Sequence, residues 1–246
     1  KNEWHSAQVP GLVHLDLWEN QLIEDPYFEQ NEQKQRWIEN KDWTYQTTFN
    51  LSETQLNAQN IELDFKGLDT YAKVFLNDSL ILEANNMFRS WQVDIKEIAK
   101  AKDNRLQIDF TSPINQNKEK VLNYPHQLPS GNEAEDIPIK VSNFSRKAAY
   151  HFGWDWGPRF VSSGIWRPIQ INSWDKARIV DVYTSTDKIE NDTAYLSTEL
   201  EIEVDREGEY LIRIDSLSIK KKLTFGVNLI KHSSKVSKPK FCLLYT

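Results

Sequence analysis

Trp43-Thr44-Tyr45-Gln46-Thr47-Thr48-Phe49 sets aromatic side chains at alternate positions, with hydroxyls and an amide between them. Successive side chains of an extended strand point to opposite faces, so this stretch reads as a strand with one buried and one solvated side. Ile61-Glu62-Leu63-Asp64-Phe65 repeats the alternation and assigns both carboxylates to the wet face. Tyr71-Ala72-Lys73-Val74-Phe75-Leu76 then meets Asn77-Asp78 and continues as Leu80-Ile81-Leu82, the pattern of a hairpin whose turn tolerates φ > 0. Further strands are expected at residues 90–95, 105–110, 165–171 and 179–184. Short strands at this spacing predict an all-β chain built as a sandwich, not a parallel α/β sheet.

Three stretches around these strands break the pattern. Residues 13–20 follow Pro10-Gly11 and carry Val13, Leu17 and Trp18 at near-helical spacing, which predicts a short helix packed under the sandwich. Residues 118–129 read as a short charged segment ending in a Pro-bounded loop, and residues 130–138, with Gly131 and three acids, as an exposed excursion. Beyond Trp174 the aromatics thin out, and residues 194–204 and 208–215 alternate aliphatic with charged side chains. These shifts predict domains at 1–175 and 178–246. The second falls short of the roughly 100 residues of an immunoglobulin-like domain, so an incomplete sandwich is expected there.

Composition supports this picture. Of 246 residues 39% are hydrophobic and 12% aromatic, ample for a packed core and incompatible with a disordered chain. No apolar run approaches the roughly 18 residues of a membrane span. A lone cysteine, Cys242, excludes an intramolecular disulfide framework and a cysteine zinc cluster. The net charge of −6 is uneven: residues 1–216 carry a net −13, while residues 217–246 hold seven Lys and no acid. An acidic body argues against a nucleic-acid partner, because phosphate binding needs a basic surface. The opening at Lys1, without Met or an apolar leader, fits a processed or clipped N-terminus and leaves the compartment unassigned.

The segment richest in chemistry is Tyr150-His151-Phe152-Gly153-Trp154-Asp155-Trp156-Gly157-Pro158-Arg159. Its two Gly and one Pro forbid a regular helix or a long central strand, so it reads as a shaped loop. Aromatic faces stack on the C–H face of a sugar ring while a carboxylate and a guanidinium bind hydroxyls, which suits a carbohydrate site. The competing reading, favoured by composition alone, makes Trp154 and Trp156 core or interdomain packing residues and Asp155 a turn cap. Elsewhere the five His are scattered, none at the i, i+3 or i, i+4 spacing of a zinc-binding helix, and His14 reads as a hydrogen-bonded structural residue. No phosphate-binding Gly loop and no Gly-x-Ser-x-Gly elbow is present. Neither a metal nor a cofactor is therefore expected. Asn2-Glu3, Asn31-Glu32 and Asn132-Glu133 give the dipeptide used by many glycosidases, but none follows a barrel-type strand, and all three read as surface residues.

The order of segments resembles the N-terminal region of β-mannosidases of glycoside hydrolase family 2. The resemblance is carried by Val9-Pro10-Gly11-Leu12-Val13-His14-Leu15-Asp16-Leu17, Leu22-Ile23-Glu24-Asp25-Pro26, Asn31-Glu32, Trp37-Ile38 and Trp43-Thr44-Tyr45. It continues through Gly67-Leu68-Asp69-Thr70-Tyr71-Ala72, Leu76-Asn77, Asn86-Met87-Phe88-Arg89, Arg146-Lys147, Phe152-Gly153-Trp154-Asp155-Trp156-Gly157-Pro158 and Ser163-Gly164-Ile165-Trp166. It covers residues 9 to about 174 and is weaker from there to about residue 240. Departures stand at Leu12, at Asn77-Asp78 and in residues 241–246.

The resemblance implies a jelly-roll, galactose-binding-domain-like sandwich followed by an incomplete immunoglobulin-like sandwich. In the family a (β/α)8 barrel carries the two catalytic Glu residues, so no catalytic residue is expected here and the barrel becomes a partner supplied by a complete chain. The implied partner ligand is a terminal β-mannoside sugar, with Asp155 touching it and Trp154 forming a wall, while Gly153, Trp156, Gly157 and Pro158 shape the loop. That implication reverses the preference from composition for Trp154 and Asp155. Family members are generally secreted, periplasmic or lysosomal. A free-standing carbohydrate-binding module and a purely structural pair of sandwiches are the rival readings.

Overall fold

A computed structural model describes residues 3–214 and 217–240, with the side chain of Leu217 left out. Cys242 and the departure at residues 241–246 lie outside the described residues. The chain divides between Ser173 and Trp174 into two compact units.

In the first unit the alternating stretches become strands. The first sheet runs in the order β1 (Trp43–Phe49), β6 (Asn104–Thr111), β3 (Tyr71–Leu76), β4 (Ser79–Asn85). The second runs β5 (Trp91–Asp94), β2 (Asn60–Phe65), β7 (Ile169–Trp174). β1 pairs antiparallel with β6 from Trp43↔Phe110 to Phe49↔Asn104, and β3 pairs antiparallel with both β4 and β6. Inward side chains from the two sheets meet in one core: Ile61, Leu63 and Phe65 of β2, Ala72, Val74 and Leu76 of β3, and Leu106, Ile108 and Phe110 of β6. Each large apolar side chain withdrawn from water there contributes roughly 1.5–3 kcal/mol. The β3–β4 hairpin closes through Asn77 (φ +50°) and Asp78 (φ +71°), both left-handed, and the Asn77 amide fixes the turn by accepting from Arg105 N at 3.0 Å and donating to Ile98 O at 3.0 Å.

Helices flank this jelly-roll-like sandwich. α1 (Val13–Glu19) buries Val13, His14 and Leu17 and packs its apolar side with Ile38 against Trp43 and Tyr45. α2 (Asn31–Lys34) is a single turn, and α3 (Glu53–Asn57) starts with a capping box between Ser52 and Gln55. The charged segment expected at 118–129 is instead the second half of α4 (Pro113–Asn123), which begins five residues earlier. Ser112 caps it, accepting from Ile114 N at 3.1 Å and Asn115 N at 3.2 Å, with Pro113 at the first helical position.

Two further expectations are corrected. The strand expected at 165–171 starts only at Ile169, because Trp166 turns onto Gly67 and donates from its indole to Met87 O at 3.0 Å, while Pro168 has no N–H for a ladder. Asp64 is not on a wet face: it is buried on the central strand β2, ion-paired to Lys66, with Asn172 donating at 3.5 Å.

In the second unit β8 (Ala177–Glu190) and β12 (Gly226–Ser237) flank β9 (Thr193–Val204), and β10 (Gly208–Ile214) pairs with β11 (Leu217–Leu223). All these pairs are antiparallel, and the β8–β9 turn places Asn191 and Asp192 at φ of +50° and +54°. A small core joins Leu200, Ile202 and Val204 to Ile212, Leu223 and Ile230. Five described strands form an unclosed, immunoglobulin-like sandwich, with Ile179, Val182 and Leu229 left exposed. Among the described residues no helix is long and apolar enough to cross a membrane.

Candidate functional site

The loop rich in aromatics lies in the first unit. After the 3₁₀ turn Ala149–Phe152 the chain passes Gly153 at φ +107°, where a Cβ would stand 2.9 Å from the Asn132 carbonyl oxygen. Only glycine accepts both that dihedral and that approach. Trp154 and Gly157 then exchange backbone hydrogen bonds of 3.2 and 3.3 Å, leaving Asp155-Trp156 as the tip of a tight turn. Pro158 leads out and cannot extend the pairing. The two indoles meet edge to face, 5.6 Å between centroids and 77° between planes. Trp154 is 45% exposed and Trp156 83%, so neither belongs to the core of this unit. Asp155 is exposed, and its carboxylate pairs with no described residue, so it does not cap the turn.

Beneath this turn lies a cluster of buried charges. Arg159, buried, donates to Glu39 from Nε (2.9 Å) and Nη2 (3.3 Å), to Glu133 from Nη1 (3.1 Å) and to Phe152 O from Nη1 (3.1 Å). Its backbone N–H donates to Glu32 at 3.0 Å. Four of the five guanidinium N–H groups are thus engaged inside the protein. Asn31 and Glu133 are buried, which corrects their reading as surface residues, and Glu133 with Ile137 anchors the segment 130–138 that reads as an excursion. Asn2 lies outside the described residues. Burial holds the Glu39 carboxyl above its ordinary pKa, with the Arg159 charge opposing the rise.

A second buried centre fixes the rest of the loop. Lys147 and Asp69 form an ion pair with both side chains fully buried, and Lys147 also donates to Ser162 O at 2.8 Å. Thr70 donates to the other Asp69 oxygen, and the Asp69 and Gly164 main chains exchange two 2.9 Å hydrogen bonds. His14 Nδ1 lies 2.9 Å from Ser162 Oγ, as a structural histidine should, and His151 Nδ1 lies 3.2 Å from Phe160 O. Burial, aided by the Lys147 charge, lowers both histidines to about 4, so both are neutral at pH 7. Burial also lowers Lys147 while Asp69 opposes the shift.

Sequence reasoning singled out Gly153 to Pro158 and missed Glu39, Glu133 and the Asp69–Lys147 pair that lie beneath and beside them. The available signal was two cations, Lys147 and Arg159, set in a stretch rich in aromatic and small residues, since buried cations demand carboxylate partners. No described group of three or more His, Cys, Asp and Glu could hold a metal ion. The loop tip is a protrusion rather than a pocket. A cavity of about 610 Å³ lies elsewhere, between α1, β1 and β7, and none of its lining comes from the loop.

The model of the glycosyl hydrolase 2 galactose-binding domain-like family matches residues 1–167. The chain belongs to this family. Its match to Beta-mannosidase B of Aspergillus terreus is 38% identical over 199 residues, 80% of this chain and 23% of the relative. The enzyme of the same name from Emericella nidulans is 33% identical over 239 residues, 94% of this chain and 28% of the relative. The crystal structure of the β-D-mannosidase of Dictyoglomus thermophilum superposes with a TM-score of 0.86 at 34% identity, covering 98% of this chain and 30% of that one. The exo-chitosanase of Amycolatopsis orientalis, TM-score 0.69 at 16% identity, shares the fold. The chain thus spans about a quarter of the relatives it matches. It corresponds to the N-terminal, non-catalytic portion of a larger family 2 β-mannosidase-type protein.

Proposed function

We propose that this chain supplies the Trp154-Asp155 turn to the sugar site of a β-mannosidase that removes terminal, non-reducing β-D-mannose. The observation that carries the reading is the tip itself: an unpaired carboxylate between two exposed indoles on a rigid base. A carboxylate accepts from two sugar hydroxyls at once, and an indole covers the apolar face of a pyranose. The chemistry belongs to the (β/α)8 barrel of a complete chain, where one Glu protonates the leaving oxygen and the other attacks the anomeric carbon.

Replacing Asp155 by Ala in the full-length enzyme tests this. Loss of a charged hydrogen bond to substrate lowers kcat/KM by about 10- to 100-fold with the melting temperature kept. A fall in melting temperature with kcat/KM intact supports the structural reading instead. The 246-residue chain alone shows no turnover of an aryl β-mannoside, and measurable turnover refutes the assignment of catalysis to the barrel. Calorimetric binding of mannose by the isolated chain at millimolar affinity or better would favour a free-standing binding module.

A further inference from the structure

Phe152 and Arg159 are the two legs on which the turn at residues 154–157 stands. Arg159 Nη1 donates across to Phe152 O at 3.1 Å, so one guanidinium ties both legs together. The same group donates to Glu39, in the turn Ile38–Asn40 just before β1, and to Glu133, in the long segment after α4. Each of those two residues is itself fixed. Glu133 accepts from Ser142 N and Ser130 Oγ, both at 3.0 Å, and the Glu39 carbonyl accepts from Ser112, the cap of α4. The Arg159 main chain is held to Glu32 in α2.

From this geometry we infer that Arg159 is a positioning residue that sets the pose of Trp154 and Asp155, an assignment that rests on the sugar-contact reading above. It is too buried to touch a ligand and acts only through the legs of the turn. The planar fork of arginine suits the task, because its five N–H groups leave in fixed directions and reach two carboxylates and a carbonyl together. Lysine offers one rotating ammonium and cannot hold three acceptors that lie apart. Stability alone is a poor account of such a centre, because apolar residues of similar volume often replace a buried ion cluster without loss. What the arginine adds is a fixed angle between the turn and the segments around it.

The test uses the 246-residue chain labelled with 5-fluorotryptophan, its nine ¹⁹F resonances assigned by single Trp→Phe replacements. Arg159→Lys, and the neutral combination Glu39→Gln/Glu133→Gln/Arg159→Met, are compared with the parent chain. The expected result is a shift or broadening of the Trp154 and Trp156 resonances while the other seven keep their positions. A structural role would not single out those two. Unmoved Trp154 and Trp156 resonances overturn the inference, and so does collapse of all nine in both variants, which marks a group needed for the whole unit. Methyl β-D-mannoside titrated into the parent chain separates the two readings. A shift at Trp154 that weakens at least several-fold in the variants supports positioning for sugar, and a silent parent chain overturns the sugar half without affecting the comparison of poses.

Discussion

In the first unit Asp69, Lys147, Glu133 and Arg159 are each 5% exposed or less, whereas in the second Lys231 and Glu199 pair with 69% and 38% of their side chains in solvent. Among the described buried polar residues only Thr198 belongs to the second unit. Charges withdrawn from water lose hydration worth several kcal/mol per ion, and only close, well-directed partners offset that. The first unit bears this burden along the segment that carries the Trp154-Asp155 turn, and the second does not. Most of the buried charge here lies in or against residues 147–159, with Asp64 on β2 the exception, while Lys231 and Glu199 pair on plain sheet surface.

The sharpest way to break that comparison is Asp69→Ala, which strands the Lys147 ammonium in the interior. The expected loss is about 3–5 kcal/mol in urea unfolding. Every tryptophan except Trp174 precedes the division at Ser173, so indole fluorescence reports the first unit. Lys231→Ala in the second unit costs under about 1 kcal/mol. Equal losses would dissolve the contrast.

Acid sharpens it next. His14 and His151 titrate near 6.5 when unfolded and about 4 when folded, so between those values the unfolded state binds more protons and stability rises with pH. Their neutral burial costs nothing above about pH 6.5. As pH falls through the window the first unit loses roughly 1.4 kcal/mol per pH unit for each histidine. Urea midpoints at pH 7 and pH 5 measure this, and the double replacement His14→Gln/His151→Gln flattens the difference.

A smaller effect is expected at the hinge of the turn. Gly153→Ala meets a positive φ and the Asn132 carbonyl, at a cost of about 1–3 kcal/mol, and near-UV circular dichroism of the paired indoles changes with it. Smallest is Trp156→Ala, which removes an 83% exposed side chain whose ring contact is with Trp154 and lowers stability by less than about 0.5 kcal/mol. A larger value would show the tip indole to be packed.

The sandwich was legible because strand periodicity is local. Trp43, Tyr45 and Phe49, or Leu106, Ile108 and Phe110, declare a buried face without reference to anything distant. The start of α4 was equally local, in Ser112-Pro113, and went unread because the polar run that follows has little apolar periodicity. Asp64 was misread for the opposite reason: alternation says which face a residue takes and not whether that face is covered. The turn at Trp154 was recognised as a loop from its glycines and proline. Its supports were not, since Glu39 and Arg159 are 120 residues apart in the chain.

By itself the sequence determined two β-rich units, the family and the shaped loop at 153–158. Only the tertiary structure decided that Trp154 and Trp156 face solvent, that Glu133 and Arg159 are buried partners, and that both legs of the turn meet at one guanidinium. The physical reason is range. Backbone propensity and side-chain alternation act over a few residues, while the burial of a charge is settled by segments that meet only after the chain has folded.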